Sequence, residues 1–114
     1  MNLHLVQISI IVSSEEGVNF YKSLGFKEIS REIRKEAHDE LICLSNGNLS
    51  VRLYKDSTHP VRNRKPESLG LRYLTFDVDS LNQFENIEIK EDQFGRFIFL
   101  NDPDGQPVQI REKK

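Results

Sequence analysis

The 114-residue chain is poor in several features, and each shortage excludes a class of protein. A single cysteine, Cys43, rules out an internal disulfide and favours a reducing compartment. No apolar run approaches the roughly 18 residues of a transmembrane helix, and no export signal precedes the first apolar segment. A net charge of only -2 gives no general attraction to nucleic acid or anionic membranes. We therefore expect a cytoplasmic protein with no nucleic-acid or membrane partner.

The first half of the chain has the pattern of a strand, a helix and three strands. Alternation in residues 5–12 predicts a strand whose apolar face is opposite Gln7 and Ser9. Serines at 13 and 14 predict the start of a short helix that Gly25 ends. Residues 26–34 are expected to be extended, and the turn-forming pair at 46–47 predicts a hairpin of residues 40–44 and 49–54.

The second half repeats this order about 65 residues later. Residues 71–78 alternate as a strand, Leu81 and Phe84 predict a helix of barely two turns, and Ile87 with Ile89 suggests a short strand. Residues 96–110 then predict a closing hairpin around a DPDG turn. We predict a single α+β domain, 1–114, made of module one (1–56), a linker (57–69) and module two (70–114).

Two such modules, paired with their helices outside, would form a curved mixed sheet with a concave polar face. Strand alternation places eight side chains on that face: Gln7, Ser9, Ser50, Arg52, Tyr54, Tyr73, Thr75 and Gln109. A polar concavity with apolar borders is a candidate pocket for a small molecule. The alternative is a sheet face that simply contacts water, as antiparallel sheets often have.

Three motifs resemble a known family. Residues 20–26 (FYKSLGF) resemble the FYxxxLGF element of the vicinal oxygen chelate superfamily, which includes glyoxalase I, bleomycin-resistance proteins and extradiol dioxygenases. Residues 101–105 (NDPDG) resemble its C-terminal turn, and residues 66–76 resemble the PExxGLRHLAF segment of its YaeR-type glyoxalase-like subgroup. The resemblance covers nearly the whole chain in the right order, and it implies paired βαβββ modules.

The resemblance also implies four metal-ligand positions, and most of them hold unsuitable residues here. The positions are Gln7, Arg52, Tyr73 and Gln109, and in the family they usually carry His or Gln, Glu, His and Glu. A guanidinium has no lone pair to donate, and a phenol ionises only near pH ~10. Neither Arg52 nor Gln109 can replace the family's glutamate as a general base. We therefore expect no metal, no other cofactor and no catalytic residue.

The leading hypothesis is binding of a small anion at the concave face. Arg52 offers a fork of donors that suits a carboxylate or a phosphate, although it could instead pair with Asp77 or extend into water. One alternative is a lactoylglutathione lyase-like lyase or isomerase that retains Ni, Zn or Mn through Gln7 and Gln109. Another is a non-catalytic interaction module. By resemblance, we also expect a homodimer.

Other polar groups give weaker signals. The histidines at 4, 38 and 59 lack metal-ligand spacing and are expected at the surface. The basic cluster of Arg31, Arg34 and Lys35 is expected at a solvated edge, with the mouth of the pocket as the alternative. Cys43 is expected to be a core thiol. The basic linker residues 62, 64 and 65 lack the interleaved aromatics of a nucleic-acid site.

Overall fold

The computed structural model describes residues 1–61 and 69–114. These form two compact units, Met1–Val61 and Arg62–Lys114, which contain the predicted modules. Below, module one and module two denote these two units. Residues 62–68, which include the basic part of the expected linker and the start of the third motif, lie outside the described residues. The expected single-domain organisation therefore stays a prediction.

Module one is a four-stranded mixed sheet with one helix. Its elements are β1 (Gln7–Val12), α1 (Glu15–Ser23), β2 (Lys27–Arg34), β3 (Asp39–Ser45) and β4 (Ser50–Lys55). The strands lie in the order β1-β4-β3-β2, with β1 parallel to β4 and the other pairs antiparallel. This confirms the predicted order of strand, helix and three strands.

The core of module one lies between α1 and the face of the sheet that α1 covers. Val18 and Tyr21 of α1 are fully buried, as are Val51 and Leu53 of β4. A Cβ added at Gly17 would lie 2.8 Å from Val12 Cβ, so glycine is needed where the helix meets β1. The helix ends at Ser23 with Leu24 as its C-cap, and Gly25 follows with φ of 101°, as the sequence predicts.

Module two repeats the strand pairing of module one, but its helical element is much shorter. Its elements are β5 (Leu74–Val78), a single 3-10 turn (Leu81–Gln83), β6 (Lys90–Asp92), β7 (Gly95–Asn101) and β8 (Pro107–Glu112). The strand order is β5-β8-β7-β6, with β5 parallel to β8. The predicted fold class, α+β with βαβββ modules and mixed sheets, is thus confirmed, although the helical element of module two is reduced.

Two local predictions for module two were wrong. The expected two-turn helix is one 3-10 turn, in which the Gln83 side chain donates to Ser80 O and competes with the helical backbone pattern. The expected strand at Ile87 and Ile89 is displaced to Lys90–Asp92. The displacement follows from a tight turn that the sequence reasoning missed, because Asp92 Oδ1 accepts from Phe94 N (2.9 Å) and Gly95 has φ of 118°.

The two turns that were predicted form by the expected chemistry. Asn46 Oδ1 accepts from Asn48 N and Leu49 N, and Gly47 adopts φ of 95°. In the closing hairpin, buried Asp102 accepts from Asp104 N and Gln106 N through Oδ1, both at 2.9 Å. Side-chain to backbone bonds of this kind hold both hairpins in one register.

No helix in the described part of the chain has the length and apolar character that crossing a membrane requires.

Candidate functional site

The face of module one opposite α1 carries five of the predicted site residues. The register pairs Gln7 with Ser50, Ser9 with Arg52 and Ile11 with Tyr54 across β1 and β4. Paired residues of neighbouring strands point to the same side of a sheet, so the five polar side chains share one face. The half-buried Ile8 and Ile10 of β1 and the buried Val51 and Leu53 of β4 alternate with them and face α1.

Arg52 lies in the middle of this face among neutral groups. Its cross-strand neighbours are Ser9 on β1 and Cys43 on β3. The arginine is exposed, and within the described part of module one its guanidinium makes no hydrogen bond or ion pair. Pairing with Asp77, the alternative considered above, would join the two modules and stays a prediction. A fork of donors is therefore available on the polar face of module one.

The other basic group on this face is already paired. Arg34 donates to both carboxylate oxygens of Asp39, at 2.7 and 2.6 Å, and this bond lowers the pKa of Asp39. The guanidinium carbon of Arg34 also lies 4.8 Å from the centre of the Tyr54 ring. Tyr54 thus supports Arg34 near the β2–β3 turn, two residues after Arg52 on β4.

An open depression of about 600 Å³ lies beside the same turn. It is lined by Ile33, Arg34, Lys35, His38, Asp39, Glu40 and Lys55. Most of its charges are paired with each other, since Arg34 binds Asp39 and Lys55 lies 2.9 Å from Glu40. The depression does not include Arg52, and its internal pairing makes it the weaker candidate for an anion.

Arg31 belongs to the opposite, helix-covered side of module one. It donates to both carboxylate oxygens of Glu15 at 2.8 Å and to Glu28 at 2.9 Å, while Lys55 approaches Glu15 at 3.0 Å. The bonds from Arg31, and then from Lys55, lower the pKa of Glu15 to about 2. This cluster connects the first turn of α1 to the sheet, so Arg31 has a structural role.

The corresponding face of module two carries Tyr73, Thr75 and Gln109. The register pairs Thr75 with Gln109 across β5 and β8, and Tyr73 precedes Thr75 by two residues. Thr75 Oγ1 donates to Gln109 Oε1 at 2.9 Å, and Gln109 is only 5% exposed. Among the described residues, no acceptor lies within hydrogen-bond distance of Gln109 Nε2.

An aromatic row on this face was missed by the sequence reasoning. The rings of Tyr73 and Phe99 meet edge to face at 5.0 Å, and Phe99 meets Phe97 in the same way at 5.8 Å. The guanidinium carbon of Arg111 lies 4.8 Å from the Phe97 ring centre, and Arg111 is held by Asp92. The sequence did contain a signal for this row. Side chains alternate along a strand, so residues 97 and 99 lie on the same side of the sheet, and this is the side of Gln109.

The four family ligand positions correspond pairwise in the two modules. Arg52 is the cross-strand partner of Ser9, and Gln109 is the cross-strand partner of Thr75. Gln7 and Tyr73 each stand two residues before that partner on the first strand of their module. No group of three or more His, Cys, Asp and Glu side chains placed to hold a metal occurs in residues 1–61 and 69–114.

Cys43 is not a core thiol in this structure. It lies half-buried on the face opposite α1, because the alternating residues Ile42 and Leu44 occupy the buried side of β3. The histidines are dispersed at the surface, with His59 Nδ1 3.3 Å from Asp56 and His38 in the β2–β3 turn with φ of 59°.

Comparisons with known proteins give consistent relatives. No family model matches the chain. The uncharacterized protein YwkD of Bacillus subtilis is 34% identical, and the match covers 93% of this chain and 94% of that protein. The uncharacterized protein YaeR of Escherichia coli is 33% identical, and the match covers 79% of each chain. The crystal structure of a glyoxalase family protein from Enterococcus faecalis is 31% identical, with a TM-score of 0.77 over 97% of both chains.

Proposed function

This chain belongs to the vicinal oxygen chelate superfamily, and we propose that it binds a small anionic molecule through Arg52 without the family's metal. The observation that carries the proposal is the exposed guanidinium of Arg52, which has no carboxylate partner in the described part of module one. Ser9 and Cys43 flank it and leave its charge uncompensated. A planar fork of donors surrounded by neutral groups suits a carboxylate or a phosphate.

The neighbouring polar groups support an anion more than a cation. Gln7 Nε2 donates to Ser9 Oγ at 3.2 Å, which helps to fix both side chains beside Arg52. Ser9 and Ser50 supply further hydroxyl donors on the same face. We propose that these residues bind the anionic group. Tyr73, Thr75 and Gln109 lie on the polar face of module two, and we propose them as a separate site for uncharged polar groups. Tyr54 supports the face through Arg34.

The family's divalent metal does not fit the residues present. Module one offers Gln7 and a permanently charged arginine, and module two offers a phenol and the amide of Gln109. The amide oxygen of Gln109 already accepts a hydrogen bond from Thr75. Divalent metals of this family take imidazole and carboxylate ligands, and a neighbouring guanidinium repels a cation. We therefore propose a binding protein without a metal-dependent step.

Anion titrations on matched variants test this proposal. Binding of phosphate, acetate and benzoate is measured by calorimetry for the full chain, for Arg52→Gln and for Lys35→Gln, at constant ionic strength. We expect Arg52→Gln to weaken the best anion about tenfold or more, since a hydrogen bond to a charged group is lost. Lys35→Gln removes the same charge from the depression at the β2–β3 end and should leave the affinity unchanged.

Two outcomes would contradict the proposal. Equal losses in both variants would indicate a general charge effect, and a loss confined to Lys35→Gln would place the anion in the depression. Protein soaked in nickel, zinc and manganese and then desalted should retain far less than one metal per chain. Near-stoichiometric metal would instead restore the lyase or isomerase alternative.

A further inference from the structure

We propose that the polar face of module two binds a planar aromatic ring carrying an acceptor oxygen, through Phe99, Tyr73 and the amide of Gln109. The class of ligand is therefore an aryl carbonyl compound, of which benzoate and benzamide are simple examples. This inference rests on contacts within module two alone, and it rests on the proposed function only where the probe is an anion.

The aromatic row offers a binding surface at one end. The ring of Phe99 is perpendicular to those of Tyr73 (86°) and Phe97 (84°), at centroid distances that are favourable for edge-to-face pairs. Phe97 is only 9% exposed and has Arg111 over its ring, whereas Phe99 is 37% exposed. The row therefore continues from a covered ring to an accessible one.

Gln109 supplies a donor directly beside the accessible ring. Phe99 and Gln109 are cross-strand partners on β7 and β8. Thr75 occupies the amide oxygen, so the NH₂ group of Gln109 is the part left to bind a ligand. The residue is 5% exposed, and a buried donor without a partner destabilises the protein unless an acceptor reaches it.

The spacing of these two groups selects the chemical class. Directly opposed side chains of an antiparallel pair have Cβ atoms about 5 Å apart. A ligand that contacts both the Phe99 ring and the Gln109 amide thus needs its acceptor oxygen within one or two bonds of its own ring. Benzoate and related aryl carbonyl compounds have this arrangement, and flexible aliphatic acids do not hold it.

Two matched acids test the inference. Benzoate and cyclohexanecarboxylate carry the same charge and nearly the same volume, but only benzoate is planar and aromatic. Calorimetry on the full chain should show benzoate binding about fivefold more tightly, the size expected of an aromatic contact. Phe99→Leu should abolish this preference by weakening benzoate about fivefold more than it weakens cyclohexanecarboxylate. Equal binding of the two acids by the unmodified protein would overturn the inference, as would a preference that survives Phe99→Leu.

A spectroscopic readout tests the role of Gln109 without a variant. Benzoate and neutral benzamide should both shift the side-chain amide proton signals of Gln109 downfield, because each brings an acceptor oxygen to its NH₂ group. Unchanged Gln109 signals at saturating benzoate would overturn this part.

The same probes separate this inference from the proposed function. If Arg52→Gln weakens neither acid, the anion site is wrong, while benzamide binding and the preference for benzoate still support the aromatic site. If Arg52→Gln weakens both acids equally and no aromatic preference exists, the anion site stands and this inference fails.

Discussion

Module one and module two have the same strand order, the same mixture of parallel and antiparallel pairs, and matching positions on their polar faces. Serine on β1 faces Arg52 on β4, and threonine on β5 faces Gln109 on β8. Their covers differ greatly, because α1 has nine residues and the 3-10 turn of module two has three. The strand pairing therefore does not depend on a full helix.

The polar faces differ in chemistry more than in geometry. The residue at the last-strand position is an exposed guanidinium in module one and a buried amide in module two. Neutral hydroxyl and thiol groups surround Arg52, whereas aromatic rings stand beside Gln109. One backbone pattern thus presents two different kinds of binding group, and the identity of the side chain decides which.

The largest expected effect on the free energy of unfolding tests the short 3-10 turn that covers the sheet of module two. Leu81 is fully buried and is the one buried residue of the 3-10 turn, so no neighbour on that turn can fill its place. Leu81→Ala should lower the free energy of unfolding by about 3 kcal/mol. Val18→Ala in α1 should cost only about 1.5 kcal/mol, because Tyr21 also covers that sheet. Urea denaturation measures both, and a smaller loss for Leu81→Ala would mean that the short turn contributes little cover.

A smaller effect tests the close approach of α1 to β1. Alanine at 17 would place its Cβ 2.8 Å from Val12 Cβ, which is fixed to the strand backbone. The steric clash should lower the free energy of unfolding by about 2 kcal/mol. Replacing a helical glycine by alanine should raise it by only about 1 kcal/mol. Gly17→Ala should therefore destabilise the protein by about 1 kcal/mol.

The matched control for Gly17→Ala is Asn19→Ala on the exposed side of the same helix. It should stabilise the protein slightly, by about 0.5 kcal/mol. Thermal unfolding should give opposite signs for the two variants, and stabilisation by Gly17→Ala would show that α1 can move away from β1 without loss.

The smallest expected effect concerns the charge cluster of Glu15, Arg31 and Lys55, which connects α1 to the sheet of module one. Hydrogen bonds from Arg31 and Lys55 lower the pKa of Glu15 from 4.5 to about 2. A lowered carboxyl pKa stabilises the fold above the unfolded value, and this contribution is lost as the pH falls from about 4.5 to about 2. Because Glu15 is 45% exposed, solvent screening should limit the contribution to less than about 1 kcal/mol.

Urea unfolding of Glu15→Gln between pH 7 and pH 2 measures this contribution. The variant should be less stable than the unmodified protein at pH 7, and the difference should disappear near pH 2. Glu16→Gln, in the same helical turn, is the matched control at pH 7 and should cost less stability there, since Glu16 makes no hydrogen bond or ion pair among the described residues. A difference for Glu15→Gln that persists at pH 2 would contradict the electrostatic origin.

The sequence by itself determined the features that depend on local chemistry. The hairpin turns at Asn46 and Asp102 formed as predicted because their side chains bond their own backbone. The two faces of β1 and β4 were predictable because side chains in a strand alternate strictly.

Only the tertiary structure decided the features that depend on distant partners. Pairing around the Asp92–Gly95 turn placed β6 three residues after Ile87, and the helix expected at Leu81 was too short to form without packing. The sequence predicted that Gln109 lies on the polar face. Its burial, its bond to Thr75 and the aromatic row beside it required residues from β5, β7 and β8 to meet, and no local pattern encodes that meeting.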